Sequence, residues 1–225
     1  HELGVSSLES LDLADGRQER VASFEDLDGR LTTLCADRGW VGGVLRSNKS
    51  LSGGRESQSL WSRVLAWDPT GTQVFSRTWA QVSDVALASA GSRVLLAVAV
   101  GSDPPQVIEL PSGTLTELAP PGRPTQPAPR KSLESTPRHQ LAFASGGRRL
   151  LLLSGEGRLL CWNLATPAAP PQVLVETSRT GAFLSLTDEK VMHATLVSEV
   201  TLTNLERGQV HLGVQELSSL LPPER

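Results

Sequence analysis

The chain has 225 residues, enough for one all-β domain of ordinary size or a large piece of one. With 39% hydrophobic and 20% charged residues it is too apolar to be wholly disordered, and a net charge of −3 argues against the broad basic footprint of a nucleic-acid binder. The longest apolar run, residues 94–100, is strand-sized and far short of the roughly 18 residues a membrane-spanning helix needs.

The chain opens on His1 with no signal-peptide pattern, and its natural start is expected to lie upstream. Residues 8–13 and 20–24 read as the last two strands of a repeat unit, joined across the turn DLADG (12–16). A hairpin follows over 31–44, with its turn at Asp37-Arg38-Gly39. Residues 46–58 are polar and rich in Gly and Ser, and are read as a mobile insert. Beyond them come WDPTG (67–71) and a strand over 73–79.

Residues 85–96 (VALASAGSRVLL) match residues 141–152 (LAFASGGRRLLL), so that Ser89 aligns with Ser145, Gly91 with Gly147 and Arg93 with Arg149. Each reads as strand, tight turn, apolar strand, with the glycine supplying the positive φ of the turn. ELPSG (109–113) follows the first of them and WNLAT (162–166) the second. Residues 119–138 are proline-rich with scattered Ser, Thr, Lys and Arg, and are read as an extended, disordered excursion. A last hairpin over 182–196 leads to NLERG (204–208). The element apolar or Trp, then Asp, Asn or Glu, then a short turn thus recurs five times, and Asp12, Asp68 and Glu109 are read as side chains that cap it.

Four short strands per unit, at roughly forty residues once the inserts are set aside, is the arithmetic of propeller blades. Blade interiors packed on both faces require continuous apolar strands, as residues 94–100 and 150–153 provide. SGEGRLLCWNLAT (154–166) resembles the end of a WD40 repeat, with Glu156 and Asn163 standing where that family prefers Asp. Trp67-Asp68 keeps the family's dipeptide, while its Gly-His pair at the start of each repeat is absent. The resemblance covers most of the chain as a pattern and is sharpest over 141–166.

The resemblance implies an all-β chain, a WD40-like β-propeller of four-stranded antiparallel blades. About four and a half blades are expected within one domain over 1–225: a half blade at 1–27, then 28–80, 82–118, 139–177 and 180–214. Either residues outside this chain, or another chain, complete a larger ring, or residues 215–221 share a fifth blade with the N-terminal strands. The structural repeat positions are Trp67, Asp68, Trp162, Asn163, Gly91 and Gly147, with the two tryptophans filling the gaps between blades.

No catalytic, cofactor-binding or metal-binding residue is expected. His1, His139, His193 and His211 show no metal-ligand spacing, and no phosphate-binding or nucleophile motif occurs. Cys35 and Cys161 sit in apolar runs as buried thiols with no basic neighbour in sequence, which favours an intracellular setting, cytoplasm or nucleus. The candidate partner-binding residues are Pro121, Pro124 and Pro127, two P-x-x-P spacings with Arg123, Arg130 and Lys131 nearby, as grooves of SH3 type require.

The expected function is a non-catalytic protein-interaction scaffold, one subunit of a larger assembly, with other proteins as partners and no nucleic acid. The alternative is a propeller enzyme holding a metal or quinone cofactor in its central channel, revealed by a tightly bound metal or cofactor.

Overall fold

The computed structural model describes residues 5–11, 18–25, 29–47, 61–122, 139–154, 158–176, 182–187, 190–194, 200–204 and 208–212, with side chains at residue 9 and over 31–46, 61–122, 139–154 and 158–175. All regular structure among them is β. Eighteen strands form five antiparallel sheets, and the strands of each sheet are consecutive in sequence. Residues 1–102 with 106–115 form one compact unit, and 103–105 with 116–225 a second.

The first unit opens with a two-stranded sheet of β1 (Val5–Leu11) and β2 (Gln18–Glu25). The next sheet holds β3 (Gly29–Asp37), β4 (Trp40–Ser47), β5 (Ser62–Trp67) and β6 (Gln73–Trp79) in that order. The third has β7 (Val82–Ala90), β8 (Arg93–Val100), β9 (Gln106–Leu110) and β10 (Thr114–Glu117), the last of which crosses into the second unit. β4 runs through Ser47, so Arg46 and Ser47 are strand and not the start of an insert. Arg46 is held there because its Nη2 donates to the carbonyl of Val82, 2.8 Å away at the start of the next sheet.

Strand alternation assigns each face its work. On one face of β4 and β5, Val44, Val64 and Ala66 pack against Val82, Leu87, Leu96 and Ile108 of the neighbouring sheet. On the other, Val41, Leu45, Leu65 and Trp67 form a second buried cluster with Trp61 against it. Both faces are therefore dry, which is why these strands read as apolar runs.

The second unit carries β11 (Gln140–Ala144), β12 (Arg149–Leu153), β13 (Arg158–Asn163) and β14 (Gln172–Glu176) in one sheet. β15 (Ala182–Thr187), β16 (Lys190–Ala194), β17 (Val200–Asn204) and β18 (Gly208–Leu212) form another. In the first of these, Leu151, Leu153, Leu159 and Cys161 form a cluster on one face, and Leu150, Leu152, Leu160 and Trp162 are buried on the other.

The two matched hairpins are not superposable. Ala90 pairs with Arg93 across a two-residue turn that begins at Gly91 (φ +65°), so Ser89 lies inside β7. Ala144 pairs with Arg149 across four residues, and Ser145 itself takes φ +54°. The alignment makes Ala88 the counterpart of Ala144, yet Ala88 pairs with Leu95. The registers thus differ by two residues. An even slip keeps every side chain on its own face, so the same pattern tolerates both turns.

Candidate functional site

The repeated turn positions come first. Asp68 follows Trp67 at the end of β5, and its Oδ1 accepts from the Thr70 amide (2.9 Å), the Thr72 amide (3.0 Å) and the Thr70 hydroxyl (2.6 Å). Asn163 follows Trp162 in the same way at the end of β13, and its Oδ1 accepts from the Ala165 amide at 3.1 Å. Both are Asx turns, as their residue types require. Glu109 does not do this. Ser112 closes that turn instead, donating its hydroxyl to the Glu109 carbonyl (3.1 Å) and accepting from the Thr114 amide (3.2 Å). Glu109 itself is a residue of β9, paired with Leu95. Leu110 lies opposite Val94 as Trp67 lies opposite Val41, so Pro111 stands where Asp68 does. The Glu109 carboxylate meets Arg93, 3.8 Å away and exposed, a contact of little energetic weight. Asp12 lies outside the described residues.

The Thr70 hydroxyl, with the Thr72 and Thr70 amides behind it, holds the Asp68 carboxyl below the ordinary carboxylate range. A group lowered on folding contributes stability that is present above its unfolded value and lost as pH falls through the folded one. Asp68→Ala is therefore expected to lower the thermal midpoint at neutral pH, with the difference from wild type shrinking below about pH 4. Asp68→Asn, which keeps the acceptor oxygen, is expected to retain most of the turn without that pH dependence. A difference between wild type and D68A that stays constant down to about pH 2 is the contrary result.

Trp67 and Trp162 occupy equivalent places, each opposite the second residue of the preceding strand (Val41 and Leu150), and both are fully buried. Gly91 and Gly147 both take positive φ, +65° and +81°, in their respective turns. Trp162 also does something for which its repeat position gives no sign. Its indole Nε1 donates to the carbonyl of Ala119, 2.8 Å away and 43 residues back along the chain. At the other end of β13 the buried Arg158 donates through Nη1 to the carbonyl of Gly122 at 3.1 Å.

Residues 118–122 are thereby fastened to the sheet. Leu118 is buried and the Ala119 amide donates to the Pro167 carbonyl at 2.9 Å. Pro120 and Pro121 have no N–H to offer, so side-chain donors reaching neighbouring carbonyls are a natural means of holding such a stretch. Trp162 and Arg158 are four residues apart on one face of β13, and their acceptors are three residues apart, which ties the segment down lengthwise. The proline-rich stretch was expected to be disordered from 119 onward; its first four residues are instead anchored. Pro121, half-buried, sits in the anchored part, while Pro124 and Pro127 lie outside the described residues.

Both cysteines are free. Burial pushes the Cys35 thiol up to about 12, with the Asp84 carboxylate adding to the effect. Burial also raises Cys161, although the fold brings Arg149 from β12 beside it as a hydrogen-bonding, opposing influence. That basic neighbour is twelve residues away in sequence and invisible there. Neither thiol is set up as a nucleophile. Among the described residues no three His, Cys, Asp or Glu side chains converge as a metal site, and no helix is long and apolar enough to cross a membrane.

No family model matches the chain, and no curated protein does so either. Solved structures are similar in shape. An oligogalacturonate lyase in complex with manganese superposes with a TM-score of 0.62 at 12% identity, covering 92% of this chain and 59% of that one. The oligogalacturonate lyase of Vibrio parahaemolyticus gives 0.54 at 11% identity, with 92% and 60% covered. The C-terminal WD40 domain of Sif2 gives 0.51 at 16% identity, with 94% and 66% covered. The chain thus spans about three fifths of the length of the lyase structures. Likeness at such identities concerns the fold alone, and it fixes that fold: the chain is a β-propeller of four-stranded antiparallel blades, about four and a half of which it contains.

Proposed function

We propose that the chain is a non-catalytic interaction scaffold of WD40-like type, a propeller subunit of a larger intracellular assembly that offers its proline-rich segment to a partner protein. The observation that carries this reading is the pair of side-chain hydrogen bonds from Trp162 and Arg158, which anchors the start of that segment on a blade. A rigid sheet presenting a loop of groove-binding composition is an economical recognition device, because main-chain order at the anchor is established before the partner arrives. Proline-rich ligands keep the same advantage through their restricted backbone. Pro121 lies within the anchored part, so the spacing left for a groove of SH3 type is Pro124-x-x-Pro127, with Arg130 and Lys131 following it.

The test uses the whole chain. Its binding to a panel of purified SH3 domains is measured beside that of the Pro124→Ala/Pro127→Ala variant. At least one domain is expected to bind, and the variant to bind it about tenfold more weakly or worse. Equal binding by both proteins, or none to any domain, removes the proline segment as the interaction element. The competing reading, a propeller enzyme, predicts a stoichiometric metal or cofactor in the purified protein, and finding one overturns the scaffold.

A further inference from the structure

Blades in this fold end in an outermost strand whose far edge faces outward, and β6 differs from its counterparts. Among the four-stranded sheets it is the longest outer strand, with seven residues against four in β10 and five each in β14 and β18, while β2 of the two-stranded sheet has eight. It pairs with β5 alone, and among the described residues no strand covers its other edge. Seven residues of β-favouring sequence with main-chain N–H and C=O groups along one side form a template for an added strand.

The edge strand and its neighbour carry one sign of charge, Arg77 on β6 itself and Arg63 one strand in on β5. β5 and β6 together contain Arg63 and Arg77 and no Asp or Glu. The corresponding outer pair β9 and β10 carries Glu109 and Glu117, and β14 ends in Glu176. Both arginines are exposed, and each lies over a tryptophan ring: Arg77 over Trp79 at 5.1 Å and Arg63 over Trp61 at 5.5 Å. Ser62 pairs with Trp79, Val64 with Arg77 and Ala66 with Phe75, which puts Arg77 on one face of the sheet; Arg63 projects from the other. Trp79 is fixed in turn by its Nε1, which donates to the Gln106 side chain at 3.1 Å, and by Phe75 at 6.5 Å between ring centroids. A guanidinium stacked on an aromatic shelf loses little further freedom when it takes a carboxylate, and its in-plane N–H groups stay available.

We propose that the outer edge of β6 is a docking site for an acidic extended peptide, which adds as a strand and sets a carboxylate against Arg77 on one face and another against Arg63 on the other. Main-chain pairing supplies the register and the two arginines supply the preference for acid. This surface is separate from the proline segment.

The probe is a fluorescein-labelled nine-residue peptide of threonine and valine with two consecutive central glutamates, followed by anisotropy on the full chain at low salt. Two analogues accompany it, one with lysines for the glutamates and one with alternate backbone amides methylated. The glutamate peptide is expected to bind, and each analogue to bind at least about tenfold more weakly. Arg77→Gln and Arg63→Gln, both exposed and checked for native circular dichroism, are each expected to weaken the glutamate peptide about tenfold and leave a neutral threonine–valine peptide unchanged. Amides of residues 73–79 are expected to gain hydrogen-exchange protection on binding. Pro124→Ala/Pro127→Ala is expected to leave all of this untouched, which separates the two surfaces. No binding of the glutamate peptide, equal binding of the lysine or methylated analogue, or insensitivity to both arginine substitutions overturns the proposal.

Discussion

Trp162→Ala is expected to destabilise the protein by about 5 kcal/mol, among the largest effects of any single substitution in the chain. Two losses combine. The side chain is 1% exposed within a face built from Leu150, Leu152 and Leu160, so its removal leaves a cavity that paired strands cannot collapse to fill. Trp→Ala in such a place costs about 3–5 kcal/mol. The Ala119 carbonyl then loses its indole donor, and a carbonyl stranded away from water costs about 1–3 kcal/mol more. Trp162→Phe separates the two, since it keeps much of the packing and removes only the donor, and is expected to cost about 1–3 kcal/mol. Urea unfolding followed by circular dichroism reads both values. Hydrogen exchange at the Ala119 amide supplies a local check, because that amide is bonded to Pro167 and should exchange faster in both variants if the indole holds the segment in place. A Phe variant as unstable as the Ala variant, or an unchanged Ala119 amide, contradicts the anchoring role.

That role shows where reading the sequence succeeds and where it stops. The Trp-Asp and Trp-Asn turns were legible because they are local chemistry: Asp68 and Asn163 each accept from the amide two residues on, wherever the rest of the chain goes. Buried strands such as β8 and β12 were legible for the same reason, since a strand dry on both faces must be apolar throughout. The register of the two matched hairpins was not. Identical spacing of Ser, Gly and Arg is compatible with a two-residue or a four-residue turn, and only the neighbouring packing decides between them. Glu109 misled because its charge suggested the turn residue, whereas the pairing of Leu110 with Val94 sets it inside β9 and puts Pro111 at the position of Asp68 and Asn163. The anchor was out of sight for a further reason. Trp162 and Arg158 bond to main-chain carbonyls 43 and 36 residues away, and a carbonyl acceptor leaves no mark on residue type. A proline-rich stretch looks disordered by composition even where a fixed donor waits for it.

The approach of the two blades in the first unit leads to the second large effect. Leu96→Ala is expected to cost about 2–5 kcal/mol, in the upper part of that range. Leu96 is fully buried, paired with Leu87 on one side and Ile108 on the other, and faces Val44, Val64 and Ala66 of the adjoining blade. Two hydrogen-bonded sheets meet over this side chain, so neither backbone can move in to close the hole. Gly42 on β4 belongs to the same contact. A Cβ added there would stand 2.8 Å from the Cys35 sulfur, 3.2 Å from Leu96 Cδ1 and 3.5 Å from Leu87 Cδ1. Alanine in a strand would otherwise gain a little by restricting the unfolded chain, so the expected cost of Gly42→Ala, about 1–3 kcal/mol, is steric. The two substitutions should therefore couple. With Leu96 shortened, Cys35 and the new methyl group have space to share, and Gly42→Ala is expected to cost about 1 kcal/mol less than in the wild-type background. Unfolding of the four proteins of this cycle measures the coupling. Simple additivity, with Gly42→Ala costly in both backgrounds, would place the clash wholly at the Cys35 sulfur and leave Leu96 out of it. A neutral Gly42→Ala would mean that β4 and β8 do not approach this closely, and that the glycine serves the strand and not the seam between blades.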